Sequence, residues 1–296
     1  MDMEQTLSPG SLWQQLCART DSALASGALQ RIDTRTRIIT DRGIPFLVRV
    51  AQNLQRKAED KQQRDAAAAD FNPFLPPEEA LTVGAIGPEH LAVLNKFNVV
   101  RHHLLIVTRR YVPQEALLTL ADFAALCWSL REIDGLGFYN GGTVAGASQR
   151  HKHLQLIPLP LDERQSGLPI EQCFPPVLPA APSRVTALPF PHRIAALPDG
   201  LFDEPEKAAQ RCRALYREML AMLPMPPRQQ VDYQSAPYNL LVTRRWLMLV
   251  PRSHEQFQSI SINAMAFAGS LFVKNAQELA QIKANGPAAV LARVCE

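Results

Sequence analysis

Between Asn140 and Ile157 the chain reads NGGTVAGASQRHKHLQLI, a run of small residues ending in His151, His153 and Gln155 at alternate positions. Side chains alternate across a strand, so these three are expected on one face and Lys152, Leu154 and Leu156 on the other. Two imidazoles and an amide on one face suit transfer chemistry at phosphorus. An imidazole of ordinary pKa, about 6.5, is largely neutral near pH 7 and offers a lone pair that can attack phosphorus. A hydrogen bond at one ring nitrogen then decides which nitrogen attacks. The glycines ahead of the strand let backbone N–H groups approach phosphate oxygens, and Gln155 can donate its amide to a non-bridging oxygen. A bare H-x-H is more often a pair of ordinary structural histidines. The small-residue loop before it and Gln155 behind it favour a catalytic strand.

The elements that must position this stretch follow from patterning. Thr119 to Asp134 reads as a helix: Thr119 with Asp122 forms a capping box, Leu120, Phe123, Ala124, Cys127 and Leu130 recur at helical spacing, and Gly135 follows its end. Phe138-Tyr139 then makes a short strand that delivers Asn140. Leu91 to Val107 holds two strand-like runs, LAVLNKFNVV and HLLIVT, separated by Arg101-His102-His103. Adjacent histidines on a strand point to opposite faces and cannot share one metal ion, so both are read as structural or solvent-facing. Further helices are expected at residues 11–30 and at about Glu206 to Leu223, and a strand at Ile44 to Val50. Arg56 to Asp70 is charged and alanine-rich, an exposed helix or loop.

Nine prolines between Pro158 and Pro191 mark a crossover, and the boundary between an N-terminal half, 1–160, and a C-terminal half, 161–296, falls there. HLLIVTRR at 103–110 has weak counterparts in NLLVTRRW at 239–246 and LMLVPRS at 247–253, a hint of duplication. A chain of 296 residues with 47% hydrophobic content can bury a substantial core without metal or disulfides. Its five cysteines form no C-x-x-C pair, which argues against a zinc ribbon and fits a reducing cytoplasm. No metal centre is expected. No apolar run suits a membrane span or a secretion signal, and a net charge of +3 without a dense basic cluster argues against general nucleic-acid binding.

FYNGG, SQRHKHLQ, LNKFNVV followed by HLLIVTRR, and the C-terminal YNLLVTRRW, LVPRS and FAGSLFVK together resemble the ATP adenylyltransferases (diadenosine tetraphosphate phosphorylases). These belong to the His-x-His-x-Gln branch of the histidine-triad superfamily that also holds galactose-1-phosphate uridylyltransferase. The resemblance runs from about Gly43 to Leu291. It implies an α+β, HIT-like fold with two related halves, each an antiparallel sheet with packed helices, in one pseudo-dimeric and therefore monomeric chain.

For function the resemblance implies phosphorolysis of diadenosine tetraphosphate (Ap4A) by inorganic phosphate to ATP and ADP, reversibly, through AMP bound covalently to His153. His151 would orient the nucleophile. Gln155, Asn140, Ser148 and Gln149 would hold the α-phosphate, with Gly146 and Ala147 in the same loop. Asn95 and Lys96 would lie beside the nucleotide, Lys57 and Lys274 against the polyphosphate, and Mg2+ on the substrate phosphates. Ala147 stands where the pattern has a small hydroxyl residue, so a phosphate hydrogen bond is lost there or supplied by a backbone N–H. A hexose-1-phosphate uridylyltransferase-like enzyme would share the chemistry with a sugar phosphate as acceptor. A nucleotide sensor would keep the binding and lack turnover.

Overall fold

The computed structural model describes residues 6–51, 71–164, 166–223, 226 and 230–296. Helix α1 (Leu12–Ser26) stops at Gly27, whose φ of 77° lets its N–H turn back to Leu24 O. Strands β1 (Thr34–Asp41) and β2 (Ile44–Ala51) form a hairpin across Arg42-Gly43, both at positive φ, the geometry that suits the twist of paired strands. β1 was not legible in the sequence because neither of its faces is buried. The segment 56–70, and Lys57 with it, lies outside the described residues.

Next come β3 (Thr82–Ile86), β4 (His90–Leu94), β5 (Leu104–Thr108) and α2 (Leu120–Glu132). The Thr119 hydroxyl accepts the Asp122 N–H and the Asp122 carboxylate accepts the Thr119 N–H, so the capping box is present. Gly135 does not cap this helix. It opens β6 (Gly135–Gly141), where a Cβ would lie 2.6 Å from Ile157 O, so glycine is there for close strand approach. After β7 (His153–Pro158), the proline-rich crossover leads to β8 (Arg193–Ala196) and α3 (Pro205–Met222), which buries Ala209, Cys212, Leu215, Met219 and Leu220. The chain ends with β9 (Tyr238–Val242), β10 (Trp246–Pro251), the short pair β11 (Gln256–Phe257) and β12 (Ile260–Ser261), α4 (Ala264–Phe267), β13 (Ser270–Val273), α5 (Ala276–Asn285) and α6 (Pro287–Arg293).

Eight strands form one antiparallel sheet in the order β3-β4-β5-β7-β6-β9-β10-β8. The strands on either side of the crossover meet edge to edge through β6 and β9. Five of the sheet's strands, β3 to β7, precede the crossover and three, β8 to β10, follow it, so the two expected sheets are one continuous sheet to which the halves contribute unequally. One core packs Leu154, Leu156, Leu240 and Val242 with α1, α2 and α3. The other packs Leu136, Phe138, Ile157, Leu241 and Met248 with β2, β13 and the C-terminal helices. A smaller sheet, β1-β2-β13, adds a parallel pairing of β2 with β13 to this second layer. Among the described residues no helix is long and apolar enough to cross a membrane.

Candidate active site

The register of the central strands decides which side chains meet. Phe138 faces Gln155 across β6–β7, and Leu105 and Val107 face Gln155 and His153 across β5–β7. His153 and Gln155 therefore share the sheet face carrying Phe138. Lys152 turns the other way, to α2, where its Nζ donates to Asp122 Oδ2 at 3.0 Å and Leu117 O at 2.9 Å. His90 meets the other Asp122 oxygen at 2.8 Å. Burial opposes the charge on Asp122, but the His90 hydrogen bond, Lys152 and the Thr119 N–H outweigh it and hold this carboxyl down at about 2.

His153 is 3% exposed, and burial lowers its pKa to about 4, so it is neutral at pH 7. Its Nδ1 lies 2.8 Å from the His151 carbonyl. A carbonyl can only accept, so the ring proton sits on Nδ1 and the lone pair on Nε2. Nothing among the described residues bonds that Nε2. His151 has the opposite tautomer. Its Nε2–H donates to Thr108 O at 2.8 Å while Nδ1, 3.0 Å from Asn72 Nδ2, accepts. Asn72 is itself oriented, because its Oδ1 accepts the Phe74 N–H. Phe74 and Tyr111 pack their rings against His151, and Phe74 also touches His153. Burial lowers the His151 pKa as well.

β6 pairs with β7 from Gly135 as far as Phe138↔Gln155 and beyond that point keeps only β9 as a partner, so the sheet forks beside His153. Gln114, fully buried, fills that fork. Its Oε1 accepts the His153 N–H at 2.9 Å, and its Nε2 donates to Asn140 O at 2.8 Å and His153 O at 3.2 Å. A side-chain amide thus replaces the missing backbone partners. Asn140 Oδ1 accepts from Asn239 Nδ2 and the Ala264 N–H, leaving its own Nδ2 as the donor not committed to these contacts.

The loop from 141 to 150 divides into a braced part and a free part. The Gly146 N–H bonds Thr143 O and the Ala147 N–H bonds Gly142 O, so the Ala147 N–H is engaged within the loop rather than offered in place of a hydroxyl. At Gly146, φ 93°, a Cβ would come within 2.8 Å of Ile262 O, which makes this glycine a packing residue. By contrast, the N–H groups of Ser148, Gln149 and Arg150 bond to nothing among the described residues, and they run directly into His151. Arg252 is buried beneath this loop, donating to Ala145 O, Ile262 O, His254 O and Asn239 Oδ1. Desolvation lowers its pKa to about 10. It is spent on internal acceptors.

Three residues that sequence reasoning passed over join the histidines. Gln114 and Asn72 had no pattern to betray them. His103 did: it stands just before β5, in step with Leu105 and Val107, and reaches Gln155 Oε1 with its Nε2 at 2.8 Å. It is therefore buried against Gln155 and not solvent-facing. His102 does diverge from it, to Thr20. Asn95 contacts His103, whereas Lys96 pairs with Glu78 at 2.7 Å on the surface. Lys274 is exposed just past β13 and is not joined to the histidine cluster by any described contact.

Residues 2–176 match the family model of the Ap4A phosphorylase N-terminal domain, and residues 186–296 match the ATP adenylyltransferase C-terminal domain. The chain belongs to the Ap4A phosphorylase family. It is 28% identical to diadenosine 5',5'''-P1,P4-tetraphosphate phosphorylase 2 of Saccharomyces cerevisiae, over 79% of this chain and 78% of the relative. It is 26% identical to protein APA1 of the same yeast, over 93% and 90%. The crystal structure of yeast Ap4A phosphorylase Apa2 superposes with a TM-score of 0.76 at 24% identity, covering 96% of both chains, and the form in complex with Ap4A gives 0.73. The HIT-like α+β architecture is shared.

Proposed function

We propose that this nucleotidyltransferase phosphorolyses Ap4A through an AMP–His153 intermediate. His153 Nε2 attacks the α-phosphorus, the bond from that phosphorus to the bridging oxygen breaks, and ATP departs with the bonding electrons. A phosphate oxygen then attacks the same phosphorus, the nitrogen–phosphorus bond breaks, and ADP leaves with His153 neutral again. The observation that carries this reading is the bare Nε2 lone pair of a buried, neutral imidazole whose only ring proton is held by His151 O. That carbonyl also steadies the positive charge on the ring while it carries AMP. The polyphosphate leaves as a stable anion, so no general acid is required at position 155, and glutamine suffices as a donor to the α-phosphate.

Ser148, Gln149 and Asn140 are assigned to the α-phosphate, and Lys96 to the nucleotide side. Lys57 and Lys274 are assigned to the outer phosphates. Mg2+ is assigned to the substrate phosphates, whose charge it would offset; among the described residues no three His, Cys, Asp or Glu side chains gather to hold an ion. One chain supplies both halves of the sheet, which supports action as a monomer, and five unpaired cysteines support a cytoplasmic setting.

Incubation with Ap4A and phosphate should yield ATP and ADP, while UDP-glucose with galactose-1-phosphate should yield nothing. Omitting phosphate and quenching should trap one AMP on His153. Turnover with no AMP ever found there refutes the intermediate, and binding without turnover would make the protein a sensor.

A further inference from the structure

Gln155 serves a phosphoryl oxygen only if its NH2 group, not its carbonyl, points at the substrate. The two ends of an amide have nearly the same shape, so packing alone does not choose between them. The choice is made by a chain of hydrogen bonds that starts at the backbone. Asn95 Oδ1 faces the Phe97 N–H at 3.4 Å, and a backbone N–H can only donate. Asn95 therefore presents its Nδ2 to His103 Nδ1, 3.3 Å away, and that nitrogen must accept. The single proton of the neutral ring is left on Nε2, which donates to Gln155 Oε1 at 2.8 Å. His103 is 6% exposed, and burial lowers its pKa to about 4, so it carries one proton at working pH. With Oε1 taken, Gln155 turns its NH2 outward. Asn72 anchors His151 in the same manner, through the Phe74 N–H.

We propose that Asn95 and His103 are positioning residues that set the polarity of Gln155, so that the transferring phosphate meets a donor and never a carbonyl oxygen. This assignment deepens the proposed function, since it takes Gln155 to act on the α-phosphate. It also gives Asn95 a task behind Gln155 that does not require contact with the nucleotide.

The test is a double-mutant cycle on Ap4A phosphorolysis. Gln155→Ala should lower kcat about 100-fold, the scale of one lost transition-state donor. His103→Phe, which keeps a ring but has no donor, should lower kcat about 10-fold or more with KM changed less than about threefold. His103→Gln, which can still donate to Oε1, should recover most of that loss. Combined with Gln155→Ala, His103→Phe should cost less than about twofold further, because its whole effect passes through Gln155. Asn95→Leu keeps the His103 ring and frees its tautomer. It should show the same dependence on Gln155, and it carries the test if His103→Phe fails to fold by circular dichroism. Equal losses with and without Gln155, or full kcat in both His103→Phe and Asn95→Leu, would overturn the assignment. Absence of AMP–His153 in the unmodified protein would instead overturn the underlying reaction.

Discussion

The acid side of the reaction is where this site should differ most from free imidazole chemistry. Burial lowers the His153 pKa from 6.5 to about 4. At pH 5 a free imidazole is only about 3% neutral, whereas a group with a pKa near 4 is about 90% neutral, a difference of about 30-fold in available nucleophile. Ap4A has no terminal phosphate, so its charge does not titrate between pH 5 and 8. Therefore kcat/KM, which reports the free enzyme, should stay nearly flat down to about pH 5 and turn over near pH 4. The assay is AMP transfer to His153 in a single turnover without phosphate, across pH 4 to 8. Stability must be followed in parallel. His153 and His103, both lowered to about 4, bind fewer protons folded than unfolded. They contribute stability that is full above about pH 6.5 and is lost as pH falls toward 4, about 2 kcal/mol each by pH 5. An acid limb centred near 6.5 in protein still folded by circular dichroism would refute the desolvated-nucleophile argument.

Other substitutions separate chemistry from scaffolding. His153→Ala should leave no covalent AMP by mass spectrometry, and His153→Gly should regain some rate with added imidazole. Gln114→Leu strands the His153 N–H and two carbonyls at the sheet fork and should cost about 2–4 kcal/mol in chemical denaturation, with a kcat loss above about 10-fold. A stable, fully active variant would deny the fork any role. Lys152→Met leaves the Asp122 carboxylate buried without its cation and should destabilise by about 3 kcal/mol, partly restored by adding Asp122→Asn. An unchanged Tm would contradict that pairing.

The sequence carried the parts of this site that depend on short-range rules. Strand alternation put His153 and Gln155 on one face and Lys152 on the other. The Thr119–Asp122 capping box and the buried stripe of α3 were equally local. What it could not carry were contacts made across the fold by residues without periodicity. Gln114 sits 39 positions from His153, and only the divergence of β6 from β7 creates a need for its amide. Asn72 follows a segment with no readable pattern. His103 was set aside by a sound local argument, that neighbouring histidines diverge, which says nothing of what each one then meets.

The two sheet faces also explain why a buried charge stands behind the strand of the candidate site. A shift of β7 by one residue would exchange its faces, sending His153 toward α2 and Lys152 into the place of a histidine beside Val107. The apolar side chains resist this only weakly, since Leu154 and Ile157 are both acceptable in either core. Lys152 resists it strongly. Its ammonium group has a carboxylate and a carbonyl waiting at Asp122 and Leu117, whereas the groups that meet His151 and His153 on the opposite face, Thr108, Asn72 and Gln114, are uncharged. A wrong register would part that charge from its carboxylate and leave Asp122 buried with His90 as its remaining salt-bridge partner. The Asp122 group, held by His90 and the Thr119 cap, therefore contributes to placement of the imidazole through exclusion of the alternative pairing.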